Sequence, residues 1–150
     1  MLQNFRLPFV CALCFVMAHG CRSQVEVPGQ SVTGTVLVEG EPLSLGLITF
    51  RPIDGTRGPK STARIRNGKF EISAERGPWE GTHQIKISAT PPDIAAMESG
   101  ASHEEVVEKS REPHRLIAKE FDSESQLRFV VKTGEENRCE FQVKWARSKR

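Results

Sequence analysis

The 150-residue sequence contains no tyrosine, and aromatic residues make up only 7% of it. It also lacks a block of charge of one sign, since 21 basic residues face 19 acidic ones and the formal net charge is +2. A nucleic-acid surface needs basic residues gathered on one face or along one helix, so we expect no nucleic-acid partner. The one basic cluster, residues 147–150, is interpreted as a solvated basic tail.

Long apolar runs are missing after residue 20. Before it, Arg6 precedes an apolar run over residues 7–18, which ends in Ala18-His19-Gly20. A positive residue, a short apolar run and small residues at the end are typical of a signal peptide, and this run is too short to span a bilayer as a mature helix. We therefore predict that residues 1–20 are a signal peptide and that the mature chain is exported.

Cysteine is scarce, and two of the four cysteines lie inside the predicted signal peptide. Cys21 follows the predicted cleavage site and resembles the lipobox cysteine of bacterial lipoproteins, whose thiol is diacylated. The resemblance implies that Cys21 is a lipid attachment site and that membrane lipid is a partner on the extracytoplasmic side, in the periplasm or at the cell surface. With ordinary secretion the same bond is cleaved, and a free Cys21 could pair with Cys139 in an oxidising compartment.

Residues 21–30 contain Pro28 and Gly29, show no hydrophobic period and are predicted to be a tether. Residues 31–146 then hold seven short runs with alternating apolar residues, separated by turn signals such as Asn67-Gly68. The side chains predicted to face inward are Val32, Val36, Val38, Ile48, Phe50, Ala63, Ile65, Phe70, Ile72, Ile85, Ile87, Ala89, Leu127, Phe129, Val131, Cys139, Phe141, Val143 and Trp145.

One antiparallel sheet alone would leave these apolar faces wet, whereas two sheets packed face to face would cover them. The sequence therefore predicts an all-β fold, an antiparallel seven-stranded β-sandwich, with residues 31–52 as its opening pair of strands. Residues 91–125 form an insertion, in which Ser102 and Glu105 fit a capping box. We predict one short helix there, over residues 102–111, with an ion pair between Glu105 and Lys109.

Several segments together resemble the transthyretin-like, or carboxypeptidase-regulatory-like, β-sandwich found in small bacterial lipoproteins. These segments are residues 32–36, 40–43, 46–52, 67–70, 81–87 and 116–127. The resemblance implies an exported domain of that fold, with no cofactor and no established chemistry. It covers nearly all of the predicted mature chain.

The same fold hosts hydroxyisourate hydrolases, which use a histidine on the first strand and a closing Tyr-Arg-Gly-Ser segment. Here the first strand carries Thr33-Gly34-Thr35, and the sequence has no tyrosine. Iron-dependent ring-cleaving dioxygenases with a related sandwich also need tyrosine ligands. We therefore predict that the protein is not an enzyme.

Two further features of the sequence are candidate sites. His103, Glu104 and Glu105 carry metal-ligating groups but lack ligand spacing, so we predict a solvated helix face and no metal site. Trp79 precedes a predicted strand and either contacts a ligand by stacking or packs over the end of the sandwich.

These observations together predict a membrane-anchored extracytoplasmic lipoprotein, a non-catalytic structural or interaction module of the cell envelope. Its expected partners are membrane lipid through Cys21 and an envelope protein or glycan. The alternative is a secreted or periplasmic domain that binds carbohydrate or peptide through Trp79 and the insertion at residues 91–125.

Overall fold

The computed structural model describes residues 29–147. The predicted signal peptide, Cys21, residues 22–28 of the tether and residues 148–150 of the tail lie outside the described residues. The described chain is mostly β, as predicted, with two short α-helices. Its elements are β1 (Val32–Val38), β2 (Glu41–Pro42), β3 (Leu45–Pro52), β4 (Ser61–Arg66), β5 (Lys69–Ile72), β6 (Gly81–Ala89), α1 (Pro92–Glu98), α2 (His103–Lys109), β7 (Arg128–Val131) and β8 (Asn137–Val143).

The strands form one curled, hydrogen-bonded sheet that consists of two groups. In the first, called the β1 group, β1 pairs with β2 and β5 on one side and with β8 on the other. In the second, called the β3 group, β3 pairs with β4 and β6, and β6 pairs with β7. The two groups are joined by a single ladder pair, Arg66 opposite Lys69. Every pairing is antiparallel except that of β1 with β8.

The inward faces of both groups share one core, because apolar residues alternate along each strand. Phe50 of β3 is fully buried and lies at its centre, with ring centroids 6.1 Å from Phe70 and 6.2 Å from Phe129. The core residues predicted to face inward that are buried are Val32, Val36, Val38, Ile48, Phe50, Ile65, Phe70, Ile72, Ile85, Ile87, Val131, Phe141 and Val143. The others, Ala63, Ala89, Leu127, Phe129, Cys139 and Trp145, are half-buried against this core.

The two opening strands are not neighbours, although residues 31–52 were predicted to form a pair. β1 ends in a turn at Glu39-Gly40, where both residues have positive φ, and the strand that folds back on it after this turn is the two-residue β2 and not β3. The Asn67-Gly68 turn then comes between the two groups, with the amides of Asn67 and Gly68 donating to the carbonyls of Ser44 and Leu43 at 2.8 Å. These two hydrogen bonds hold the link between β2 and β3. The strand that follows the link, β3, belongs to the other group.

The last strand also differs from the prediction of a wholly antiparallel sheet. β8 runs parallel to β1 over the whole of β1, from Val32 opposite Asn137 to Val38 opposite Val143. The 132–136 turn carries the chain from β7 in the β3 group to β8 in the β1 group, so β8 does not fold back on β7. A parallel pairing between two strands that are far apart in the sequence leaves no trace in the local alternation of residues.

The insertion holds two helices where one was predicted. The predicted helix is α2, and its capping box is present, with Ser102 and Glu105 bonded in both directions. The predicted ion pair of Glu105 with Lys109 is wrong, since Lys109 instead bonds Glu112 at 2.7 Å. The missed helix α1 begins at Pro92, where a proline at the first helical position loses no hydrogen bond.

The order of the strands gives the sheet two distinct ends. At one end, here called the entry end, the Gln30 amide donates to the Pro78 carbonyl at 2.9 Å, and β1 begins. The loops at residues 53–60, 73–80 and 132–136 also lie there, because β3, β5 and β7 end at this side. The opposite end, here called the far end, holds the tight turns at Glu39-Gly40 and Asn67-Gly68 and the start of the helical insertion.

Asn137 fixes the turn that carries the chain between the groups. Its side chain is 5% exposed, and its Oδ1 accepts from the Lys132 amide at 2.8 Å. Its Nδ2 donates to the carbonyls of Lys132 at 2.9 Å and Glu135 at 3.3 Å. One buried amide thus satisfies three backbone groups at the point where the chain changes groups.

We expect Asn137→Ala to lower the free energy of unfolding by about 1–3 kcal/mol, because it leaves buried backbone groups without partners. The measurement is urea denaturation followed by tryptophan fluorescence. Glu136→Ala, an adjacent change at a side chain that is 76% exposed, is the control and should change stability by less than about 0.5 kcal/mol. Equal midpoints for both variants would show that the Asn137 network does not hold the turn.

Candidate functional site

A groove with a cavity of about 590 Å³ opens at the far end of the sheet. The last residues of β1, the β2 segment and its link to β3 form one wall. The start of α1 and residues 112–115 form the other wall, and Trp145 lies between them at the edge of the core. The groove lies between the Glu39-Gly40 turn with β2 on one side and, on the other side, the helical insertion that follows β6.

Trp145 is held in the groove by backbone pairing just after β8. It forms a β-bridge with Ile117, flanked by the Ala118 amide bonded to the Lys144 carbonyl at 2.9 Å and the Ala146 amide bonded to the Leu116 carbonyl at 2.8 Å. The Arg115 guanidinium lies 4.3 Å from the centroid of the Trp145 ring. Such a cation–π contact holds the guanidinium in place over the face of the ring.

The groove also carries acidic groups on both walls. Glu39, Glu41 and Glu112 line it, whereas His114 is held to the Ala89 carbonyl through Nε2 at 3.2 Å. The positive φ of Glu39 and Gly40 makes the sharp turn that brings two of these carboxylates to the rim. Chemically, the groove offers carboxylate acceptors for hydroxyl or amide groups, and the Arg115 guanidinium that covers the Trp145 ring offers donors.

Trp79, the residue singled out from sequence, lies at the entry end and not in this groove. It is half-buried, bridges to Gly29 and lies against Gly58, where an added Cβ would come within 2.7 Å of the indole. Its Nε1 is buried and has no hydrogen-bond partner among the described residues. A ligand-contacting role for Trp79 stays a prediction.

The His103, Glu104 and Glu105 cluster lies on the exposed α2. Glu105 is engaged by Ser102, whose amide and hydroxyl both donate to it, and these bonds lower the pKa of its carboxyl group. Within residues 29–147, no three His, Cys, Asp or Glu side chains gather closely enough to hold a metal ion.

Cys139 is a half-buried free thiol whose Sγ lies 3.7 Å from the Thr33 carbonyl oxygen. Burial raises the pKa of Cys139 to about 12, so the thiol stays protonated at neutral pH and is a poor nucleophile. Cys21 lies outside the described residues, and the alternatives of an acylated Cys21 and a bridge to Cys139 both stay predictions.

The groove residues were missed as a site because the sequence indicates only a core role for Trp145. Its alternation with Phe141 and Val143 predicts an inward side chain, and one side of the ring does pack on the core. The Arg115 partner is 30 positions away, in a segment without periodicity. Only the basic residue before the apolar Leu116-Ile117-Ala118 run could have suggested it.

Comparison of the chain with protein-family profiles, curated proteins and solved structures found no match. No helix within residues 29–147 has the length and hydropathy that a membrane span requires.

His83 is the titratable group that the core encloses. It is fully buried, with its ring centroid 6.3 Å from that of Phe50, and its Nδ1 lies 3.1 Å from the Gly81 carbonyl, to which it donates. Its Nε2 is buried without a partner among the described residues. Burial lowers the pKa of His83, and the bond to Gly81 opposes this only in part.

This lowered pKa predicts that stability falls on mild acidification. The folded state keeps His83 neutral, whereas the unfolded state begins to bind a proton near the ordinary value of 6.5. The free energy of unfolding should therefore decrease as pH falls from 7.5 to 5.5 and through the lowered folded-state pKa. Urea denaturation of His83→Leu should show a shallower dependence, while the exposed control His103→Gln keeps the wild-type slope. An unchanged slope in His83→Leu would contradict the assignment.

Proposed function

We propose that this chain is a membrane-anchored lipoprotein of the extracytoplasmic side, whose transthyretin-like β-sandwich is a non-catalytic interaction module of the cell envelope. The curled sheet would then be two layers, the β1 group and the β3 group, packed face to face. The single ladder pair between the groups and the shared core around Phe50 and Phe70 support this description.

The proposed lipid attachment site is Cys21, which directly follows the signal-peptide pattern. Eight residue steps separate it from Gly29, so the connection can extend at most about 28 Å. Two or three acyl chains anchor a protein stably at a bilayer, whereas a single chain binds marginally. A diacylated Cys21 would therefore keep the domain next to the membrane.

The observation that carries the proposal is the placement of the two ends. Gly29 enters at the Trp79 bridge, while the groove with Trp145 and Arg115 opens at the far end. The two are separated by about one strand length, roughly 20–25 Å for a strand such as β1. A domain tethered at its entry end would present the groove away from the bilayer, where an envelope protein or glycan can reach it.

The anchoring is tested by expressing the full chain in a bacterium that processes lipoproteins. We expect the protein in the membrane fraction and an N-terminal peptide that begins at Cys21 and carries the mass of acyl groups. Cys21→Ser should lose both and leave the membrane fraction, whereas the matched control Cys139→Ser should keep both. An unmodified Cys21 peptide from membrane-free protein would contradict the anchor and support ordinary secretion.

The alternative function, a secreted or periplasmic domain that binds carbohydrate or peptide, is favoured by one specific feature. The groove combines three carboxylates with the Arg115 guanidinium that lies over Trp145, and these groups can bond the hydroxyl groups of a sugar or the amides of a peptide. This alternative shares the groove with the first proposal and differs from it only in the anchor.

The groove is tested on glycan and peptide arrays with the purified mature protein. Trp145→Ala and the milder Arg115→Ala should each reduce the affinity for an array ligand at least tenfold, because the first removes the ring that positions the guanidinium and the second removes the guanidinium. Trp79→Ala, at the entry end, should leave that affinity within twofold. Loss of binding in Trp79→Ala alone would move the site to the entry end, as first predicted from sequence.

A further inference from the structure

The outer edge of β8 is open along the strand. β1 is the one strand that pairs with β8, and no other strand or helix runs alongside it within residues 29–147. Residues 116–118 lie on the same edge, but they cover only residues 144–146, which follow the strand. The edge beside β8 itself is therefore free to pair with another strand.

Hydrogen bonds at the end of β8 show which of its backbone groups face this edge. The Val143 carbonyl accepts from the Glu39 amide at 3.0 Å and so faces β1, whereas the Lys144 carbonyl accepts from the Ala118 amide on the other side. Successive residues of a strand turn their amides and carbonyls to opposite sides. The residues of β8 whose backbone groups face the open edge are therefore Arg138, Glu140 and Gln142. In the described part of the chain, these groups have no hydrogen-bond partner.

The exposed side chains of these residues carry one charge of each sign. Arg138 is basic and Glu140 acidic, and the next outward residue, Gln142, is neutral. Arg138 approaches Glu136 only to 3.9 Å, and both side chains are more than three-quarters exposed, so this ion pair contributes little. Glu140 accepts a hydrogen bond from the Gln142 amide at 3.3 Å and has no cationic partner among the described residues. The edge thus offers a cation and a carboxylate two positions apart.

We propose that this edge pairs with the same edge of a second copy of the chain. The two β8 strands would run antiparallel, with Arg138 of each copy opposite Glu140 of the other. Two-fold symmetry makes the contact twice, so two pairs of opposite charge flank the axis. Main-chain hydrogen bonds between the open edges would join the sheets of the two copies.

Charge and space together select this register. With Arg138 opposite Arg138, or Glu140 opposite Glu140, like charges would meet at the axis, an arrangement that destabilises a strand pair. Registers shifted further toward the end of β8 would put the second copy where residues 116–118 already pair with residues 144–146. Arg138 opposite Glu140 avoids both problems.

This register places Cys139 at the two-fold axis. Cys139 lies between the two charged residues and points to the inner face, where its side chain is half-buried and its Sγ lies 3.7 Å from the Thr33 carbonyl oxygen. Directly opposite residues of a non-hydrogen-bonded antiparallel pair have Cα atoms about 4.5 Å apart. The second copy would therefore cover the side of Cys139 that a single chain leaves exposed at its edge.

Antiparallel pairing also directs the entry ends of the two copies in opposite directions along the strands. A dimer in which both copies carry the proposed lipid anchor would therefore lie with its strands along the bilayer. The two far-end grooves would then open at opposite ends of the dimer, where a partner can reach them.

The test is sedimentation velocity of the exported Cys21→Ser protein in reducing buffer, in which neither acyl chains nor disulfides can cause association. We expect a monomer–dimer equilibrium that is detectable at up to about 1 mM protein, since pairing of one short edge buries little surface. A monomer at every concentration would overturn the proposal. It would show that the charges only protect the edge, as charged side chains on edge strands do.

The decisive variants reverse the two charges singly and together. Arg138→Glu or Glu140→Arg alone should raise the dimer Kd at least tenfold, because each replaces two attractive contacts by repulsive ones. The double variant should return the Kd to within threefold of the wild type, since the reversed charges again face opposite partners. Lys69→Glu is the matched control and should stay within twofold, because this exposed charge lies on the same sheet but away from the edge.

Circular dichroism should confirm that all four variants fold. Rescue in the double variant is specific to the proposed register, because Arg138 and Glu140 face each other only there. A folded double variant that dimerises no better than the single variants would contradict the proposal, as would an equal loss in Lys69→Glu.

Discussion

The contact between Phe50 and Phe70 is the interaction on which the structure depends. It crosses from β3 to β5, between two strand groups that share only one ladder pair. Hydrogen bonds hold the strands within each group, but burial of apolar side chains is what holds the groups to each other. Removal of a buried phenylalanine ring costs about 3–5 kcal/mol, a large part of the stability of a domain of this size.

Closure of the groups over one core separates the two ends of the sheet. The chain enters beside Trp79, and the groove around Trp145 lies at the opposite end. The end where the described chain begins and the groove therefore lie on different parts of the surface.

Local sequence patterns predicted the structural features that depend only on residues near one another in the chain. The alternation of Val32, Val36 and Val38 identified the buried face, and the Asn67-Gly68 pair identified a turn in which both residues have positive φ. The partners of β1 could not be predicted, because a parallel neighbour 105 positions away has no local signal. The groove was missed for the same reason, since its aromatic ring and its cation come from separate segments.

The most direct test of the account is a nuclear Overhauser measurement on the labelled mature protein, aimed at the ring protons of Phe50. The account predicts cross-peaks from Phe50 to Phe70 in the opposite group as well as to Phe129 in its own group. Cross-peaks to Phe129 without any to Phe70 would contradict it, because the two strand groups would then not share a core.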